Sequence, residues 1–244
     1  RVGRRTYNLS RIDRIVVVGA GKASARMAQA LETALGPRLD DGLVIVKTGH
    51  TLATKQITVL EASHPIPDRA GLHATQRLLR LTQCLTPRDL LIVLLSGGAS
   101  SLLPAPVAGV TLADKQRTTR LLLRSGATIN EINVVRKHLS LIKGGGLATS
   151  TQARIVTLLL SDVIGDDLGS IGSGPTAADP STFEDAVGVL HRYRSWHAVP
   201  ESVRRHLARG RQGDASETLK PGSRRLRSVQ HHIIGNNRIM LKAV

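Results

Sequence analysis

The 244-residue chain predicts an α/β fold: a Rossmann-like, doubly wound, mostly parallel sheet with helices on both faces. Three observations carry that reading. Short runs of Val, Ile and Leu recur without polar alternation, as in strands buried on both faces. Segments of helical periodicity separate these runs. Two of the runs empty directly into small-residue turns, Gly19-Ala20-Gly21 and Ser96-Gly97-Gly98, at the strand ends where such folds bind ligands.

In chain order, Arg14–Val18 reads as a buried strand that turns at Gly19–Lys22 into a helix, Ala23–Leu35, stopped by Gly36-Pro37. Gly42–Val46 is a second strand and Gln56–Leu60 a weaker third. His64–Asp68 is a loop before a helix over Ala70–Cys84. Leu90–Leu95 is a strongly apolar strand. Thr111 is placed to cap a helix near Leu112–Arg124. Ile129–Ala148 reads as helical, interrupted by Gly144-Gly145-Gly146. Ile155–Leu160 is the next strand, followed by helices near Thr182–Tyr193 and Glu201–Ala208. Residues 209–228 form a connecting loop. Gln230–Ile234 is the last strand, turning at Gly235-Asn236-Asn237 into a further helix. Strands alternating with helices imply parallel pairing.

Composition narrows the class. With only four aromatics, the core must be built from Leu, Val, Ile and Ala. A single cysteine, Cys84, excludes an internal disulfide framework and a cysteine-based zinc site. It falls in a helix and reads as a packing residue. There is no apolar run of about 18 residues that would span a membrane and no signal-peptide pattern, so a cytoplasmic location is expected. The net charge of +16 raises nucleic acid as a partner. However, the basic residues are scattered and aromatic stacking platforms are missing. A positive field drawing in an anionic substrate fits better.

Four stretches carry chemistry. In the first, the strand Ile155–Leu160 ends in Ser161-Asp162. From Ser161 to Asp185 there are six acidic residues and no Lys or Arg. Asp162, with Asp166 and Asp167 nearby, is a candidate to hold Mg²⁺ directly or through water; a solvated acidic loop, or salt bridges to the many arginines, is the plainer alternative. The second is Gly19-Ala20-Gly21-Lys22-Ala23-Ser24, where glycines let the backbone approach an anion at a helix start. As a dinucleotide fingerprint it is imperfect, since Ser24 replaces the third glycine. Lys22 is its distinctive residue, suited to neutralising a phosphate; a tight turn with a solvated lysine is the alternative. The third is Ser96-Gly97-Gly98-Ala99-Ser100-Ser101, whose N–H groups and hydroxyls suit a phosphate or carboxylate, or else simply pack as a close turn. The fourth runs from Glu131 to Gly145. If it is helical, Asn133, Arg136, Ser140 and Lys143 share one face, which suits an anion or is an ordinary charged surface. The histidines offer no convincing ligand pair, and His64 beside Pro65 reads as a loop residue, a substrate contact being the alternative.

Taken together, the succession GAGKA, SGGASSLL.P, EIN.VRKHLS.IKGG, SDV.GD and SGPT..D resembles the class II glycerate kinases, the glycerate 2-kinase family with a MOFRL C-terminal domain. The likeness runs from about Arg14 to Asn237. It implies that residues 1–244 are the family's N-terminal Rossmann-like domain, with the MOFRL domain apparently absent from this chain. The family phosphorylates a hydroxyl of D-glycerate with ATP and a divalent metal, mostly giving 2-phosphoglycerate. By that resemblance the cofactors are ATP and Mg²⁺, and the catalytic positions are Lys22 and Asp162. Gly19, Gly21, Ser96, Gly97, Gly98, Ser100, Asn133, Arg136, Lys143, Ser173, Gly174 and Thr176 bind nucleotide or substrate, and Asp162 and Asp166 hold the metal. The partners are D-glycerate and nucleotide, not a membrane or nucleic acid; the oligomeric state is open, a homodimer being one arrangement. Gly146 stands where the family usually has a basic residue after Lys-Gly-Gly, so one anion contact would be missing. Two alternatives stand beside the kinase reading: a non-catalytic ligand-binding remnant, suggested by the missing second domain and Gly146, and an NAD(P)H-dependent hydroxypyruvate reductase, a label that family members also carry and that the GxG turn superficially supports. Against a nicotinamide cofactor, no acidic residue follows the second strand: Val46 leads into Lys47-Thr48-Gly49-His50.

Overall fold

Strands without polar alternation need apolar cover on both faces, and the fold supplies it. The computed structural model describes residues 2, 3, 6–236 and 239; the helix expected after Asn237 lies outside the described residues. Six strands, β1 (Ile15–Ala20), β2 (Asp41–Lys47), β3 (Ile57–Ala62), β4 (Leu90–Leu95), β5 (Arg154–Ser161) and β6 (Val229–Asn236), form one sheet in the order β3-β2-β1-β4-β5-β6. Every pairing is parallel. The winding reverses between β1 and β4, so the crevice beyond their carboxyl ends is the topological switch point where open α/β sheets bind ligands.

The helices are α1 (Ser24–Leu35), α2 (Arg69–Gln83), α3 (Ala99–Leu102), α4 (Leu112–Arg124), α5 (Ile129–His138), α6 (Gly146–Thr149), α7 (Phe183–Arg192) and α8 (Glu201–Arg211). Successive strand residues point to opposite faces, and β1 divides accordingly. Ile15 and Val17 pack with Met27 and Ala28 of α1, whereas Val16 and Val18 pack with Ala74 and Leu78 of α2. A third apolar cluster stands apart from the sheet. There Leu122, Ile132, Val135, Val187, Leu190 and Val203 of α4, α5, α7 and α8 close around Phe183. The helical layer is thus additional to the two expected faces. Phe183 is the one aromatic side chain among the buried apolar residues described, as the aliphatic composition required.

Local chemistry sets the helix starts. The Thr111 hydroxyl accepts from the backbone N–H of Asp114, whose carboxylate accepts in return from the backbone N–H of Thr111. Thr128 with Glu131, and Thr182 with Asp185, repeat the arrangement. Each reciprocal pair satisfies two backbone donors that a helix start leaves open.

Two expectations are corrected here. The helix beginning at Ile129 ends at His138, not at Ala148. The chain leaves it to pair with residues 105–107: the N–H of Leu141 donates to the carbonyl of Ala105 at 2.8 Å, and Pro106 bridges Ser140. Ser140 and Lys143 therefore do not share a helical face with Asn133 and Arg136. Cys84, expected to pack, follows α2 as its exposed cap. Among the described residues, no helix is long and apolar enough to cross a membrane.

Candidate active site

Because β1 and β4 are neighbours, the turns that leave them touch. The N–H of Lys22 donates to the carbonyl of Gly97 at 2.9 Å, and the N–H of Ser96 to the carbonyl of Ala20 at 3.2 Å. The Ser96 hydroxyl accepts from the N–H of Ala23 at 3.0 Å and is buried. A side chain at Gly21 would overlap that hydroxyl, and one at Gly19 would overlap the Leu94 carbonyl. Gly19, Gly21 and Ser96, expected to hold ligand oxygens, therefore weld the two turns together.

What the junction presents outward is a second set of groups. The Asp162 carboxylate, at the end of β5, lies where a side chain at position 97 would stand. Gly98 adopts a positive φ of 90°, a conformation that favours glycine. A Cβ there would come within 3.0 Å of the His64 ring and 3.6 Å of Lys22 Cγ. Lys22, His64 and Asp162, following β1, β3 and β5, thus converge on Gly97-Gly98. Burial, then the charges of Lys22 and Lys47, lower the pKa of His64 below its ordinary value, so its ring is neutral at pH 7. The His50 ring nitrogen sits 3.2 Å from the Lys22 carbonyl oxygen. Lys22 and Asp162 are both exposed.

The acidic stretch divides sharply. Asp166 accepts from the Asn236 amide at 2.5 Å. Asp167 accepts from the Gly169 N–H and the Ser170 hydroxyl. Asp179 pairs with Lys137, Glu184 with Arg211, and Asp185 caps α7. Of the six, Asp162 alone has a side chain uncommitted to an internal partner among the described residues. Asp166, expected beside it as a metal ligand, is drawn to β6 by Asn236. No group of three or more His, Cys, Asp or Glu side chains that could hold a metal occurs among the described residues. A single carboxylate still fits Mg²⁺, which keeps several waters and takes further ligands from substrate phosphates.

The remaining expected residues fall into two places. Ser100, Arg136 and Lys143 line one cavity of about 140 Å³ under the loop of Pro65, Ile66 and Pro67. The Lys143 ammonium donates to the Ser100 carbonyl at 2.6 Å and lies 3.3 Å from its hydroxyl. The chain reversal after α5, rather than a shared helical face, brings Lys143 near Arg136. Lys115 of α4 joins them, and sequence reasoning missed it, because a lysine in a helix studded with Arg and Gln carries no local signal. Its ammonium is buried with no hydrogen-bond partner. Burial, reinforced by the Arg136 charge, lowers its pKa to about 7. Burial, Arg136 and Lys115 hold Lys143 well below the usual lysine range, and burial lowers Arg136.

Asn133, Ser173, Gly174 and Thr176, also expected at the ligand, lie beneath the cleft. The Ser173 hydroxyl is fully buried, donates to the Asn133 side chain at 3.2 Å and meets the Ser100 hydroxyl at 2.8 Å. Thr176 is buried between the Thr157 hydroxyl and the His231 ring. Gly174 packs against Gly169. Ser173, held by Asn133, thus braces the loop that carries Ser100, whereas Thr176 ties β5 to β6. At Gly146 the Leu141 carbonyl occupies the place of a side chain, which accounts for glycine at the position where a basic residue was expected.

A parallel sheet wound in this order, with a lysine and a carboxylate at its switch point and a cationic cavity alongside, defines a Rossmann-like domain. The chain belongs to the family described as a domain of unknown function (DUF4147), which matches residues 1–208, and the resemblance to the N-terminal domain of the class II glycerate kinases is borne out. It is 43% identical over 231 residues to a glycerate 2-kinase of Pyrococcus horikoshii, covering 95% of this chain and 51% of that protein. It is 49% identical over 211 residues to a putative hydroxypyruvate reductase of Agrobacterium vitis, covering 86% of this chain and 46% of that one. The crystal structure of a glycerate kinase from Thermotoga maritima superposes with a TM-score of 0.85 at 42% identity, over 95% of this chain and 53% of that one. The chain spans about half the length of the curated relatives it matches.

Proposed function

We propose that this chain is the N-terminal half of an ATP-dependent glycerate kinase, which phosphorylates a hydroxyl of D-glycerate to give a phosphoglycerate. The observation that carries the reading is the convergence of Lys22 and Asp162 on the side-chain-free Gly97-Gly98 backbone at the switch point. Phosphoryl transfer depends chiefly on positioning and charge stabilisation, and these groups supply both. The acceptor hydroxyl oxygen forms its bond to the γ-phosphorus as the bond to the bridging β-phosphate oxygen breaks; ADP leaves, and the hydroxyl proton passes to solvent. The Lys22 ammonium stabilises charge on the transferring group, and the bare glycines let that group approach the backbone. Asp162 orients the attacking hydroxyl or associates with the metal. Mg²⁺, when bound with ATP, neutralises phosphate charge. The remainder of the longer protein would close the other side of the cleft.

Incubation of the protein with D-glycerate, ATP and Mg²⁺ should yield ADP and a phosphoglycerate, and phosphorus NMR identifies the hydroxyl. A nicotinamide-dependent hydroxypyruvate reductase is the second reading, favoured by the name of the Agrobacterium relative. Two features count against it: β2 ends in Lys47, with no acid to hold a ribose, and Ser96 fills the glycine turn. Oxidation of NADH by hydroxypyruvate, without ADP formation from ATP and D-glycerate, would replace the kinase reading with this one.

A further inference from the structure

Among the described residues the cavity beside the switch point gathers Lys115, Arg136 and Lys143, and none of the three has an acidic partner. A buried cation without a partner is costly. Lys115 is 8% exposed and lacks even a hydrogen bond, so the cavity is built for an anion brought from outside. We propose that it is the pocket for the carboxylate of the acceptor, and that Lys115 selects an acid over a neutral alcohol; this rests on the kinase reading above.

The nature of the walls decides which anion. Pro65, Pro67, Pro104 and Leu112 make much of the lining, and no acidic side chain lines it. A polyphosphate arrives with Mg²⁺, which is customarily shared with a protein carboxylate; the uncommitted carboxylate, Asp162, lies instead at Gly97. Apolar walls around a few cations suit a short carbon chain ending in one carboxylate. Charge agrees with this: a carboxylate would supply the partner that the buried Lys115 ammonium lacks. Continuity agrees too. Ser100, which holds Lys143, is two residues beyond Gly98, and Pro65 adjoins His64. A carboxylate held here belongs to the same molecule as a hydroxyl presented to Lys22 and Asp162.

Lys115→Met removes the charge and keeps most of the volume. Titration calorimetry with D-glycerate, with its neutral amide and with ATP–Mg²⁺, on the wild type and the variant, tests the assignment. D-glycerate binding should weaken by about tenfold or more, while the amide and ATP change by less than about twofold. The ligand-free variant should melt no lower than the wild type, which separates lost recognition from lost folding. Equal D-glycerate binding by both proteins overturns the pocket and leaves the kinase reading intact. Weakened ATP binding with unchanged D-glycerate binding reassigns the pocket to phosphate and overturns the proposal. A full-length wild type that binds no D-glycerate overturns the kinase reading, and this one with it.

Discussion

The carboxylate of Asp162 fills the space that a side chain at Gly97 would occupy. The end of β5 and the turn after β4 are therefore fitted to one another atom by atom. Gly97→Ala should push Asp162 aside. The expected loss in kcat/KM is about tenfold or more, roughly 1.4 kcal/mol, with little change in stability, because the exposed carboxylate of Asp162 is free to swing away. Steady-state kinetics alongside thermal melting checks both, and unchanged activity would mean that the position of Asp162 is immaterial.

Lys22 and Asp162 are the exposed charged groups at the junction, and neither braces the fold. Lys22→Ala and Asp162→Asn should each lower turnover by more than about tenfold while leaving the melting temperature nearly unaltered. Near-normal turnover in either variant removes that residue from the catalytic set.

Lys115 makes a prediction in pH. Its pKa falls from 10.5 to about 7 on folding. Below pH 7 the lysine is protonated in both states, and the folded protein bears the full penalty of a buried charge. Between 7 and 10.5 the unfolded chain binds the extra proton, so stability rises with pH. Lys115→Met should thus be more stable than the wild type at neutral pH, with the gap narrowing towards about pH 10. Urea unfolding at several pH values measures it, and a gap that does not narrow contradicts the buried-charge account.

The Lys137–Asp179 pair joins α5 to the loop before α7, at 3.2 Å with side chains 10% and 1% exposed. Burial pushes the Asp179 pKa up, but the Ser181 hydrogen bonds and the Lys137 charge outweigh it, and the net shift is downward. This carboxylate contributes stability above its unfolded pKa of about 3.9, and the contribution is lost as pH falls through the folded value. Asp179→Asn strands a buried ammonium and should cost about 3–5 kcal/mol in denaturant unfolding near neutrality. A cost near zero would show that Lys137 finds another partner or reaches water.

Most of the fold could be read from the chain because its signals are local. Buried strands announce themselves as Ile15–Val18, Leu90–Leu95 and Ile155–Leu160, and helix starts as Thr111 or Thr182 with an acid three residues on. The site was legible only in part. Lys22 and Asp162 follow strand ends, so sequence position alone brings them to the switch point. The glycines were legible as turns, but not the difference between Gly21, packed against Ser96, and Gly98, open towards Lys22 and His64. That difference depends on the neighbouring strand.

By itself, then, the sequence determined the alternation of strands and helices, the helix caps and the family, since each depends on residues close together in the chain. Only the tertiary structure decided which acidic residue of the Ser161–Asp185 stretch is free. It likewise showed that Ser173 is tied to Ser100 and Thr176 to Thr157 and His231, and that Lys115 meets Arg136 and Lys143. The physical reason is common to all three. A side chain's role depends on whether a partner satisfies its charge and hydrogen bonds, and here the partners come from other elements of the fold.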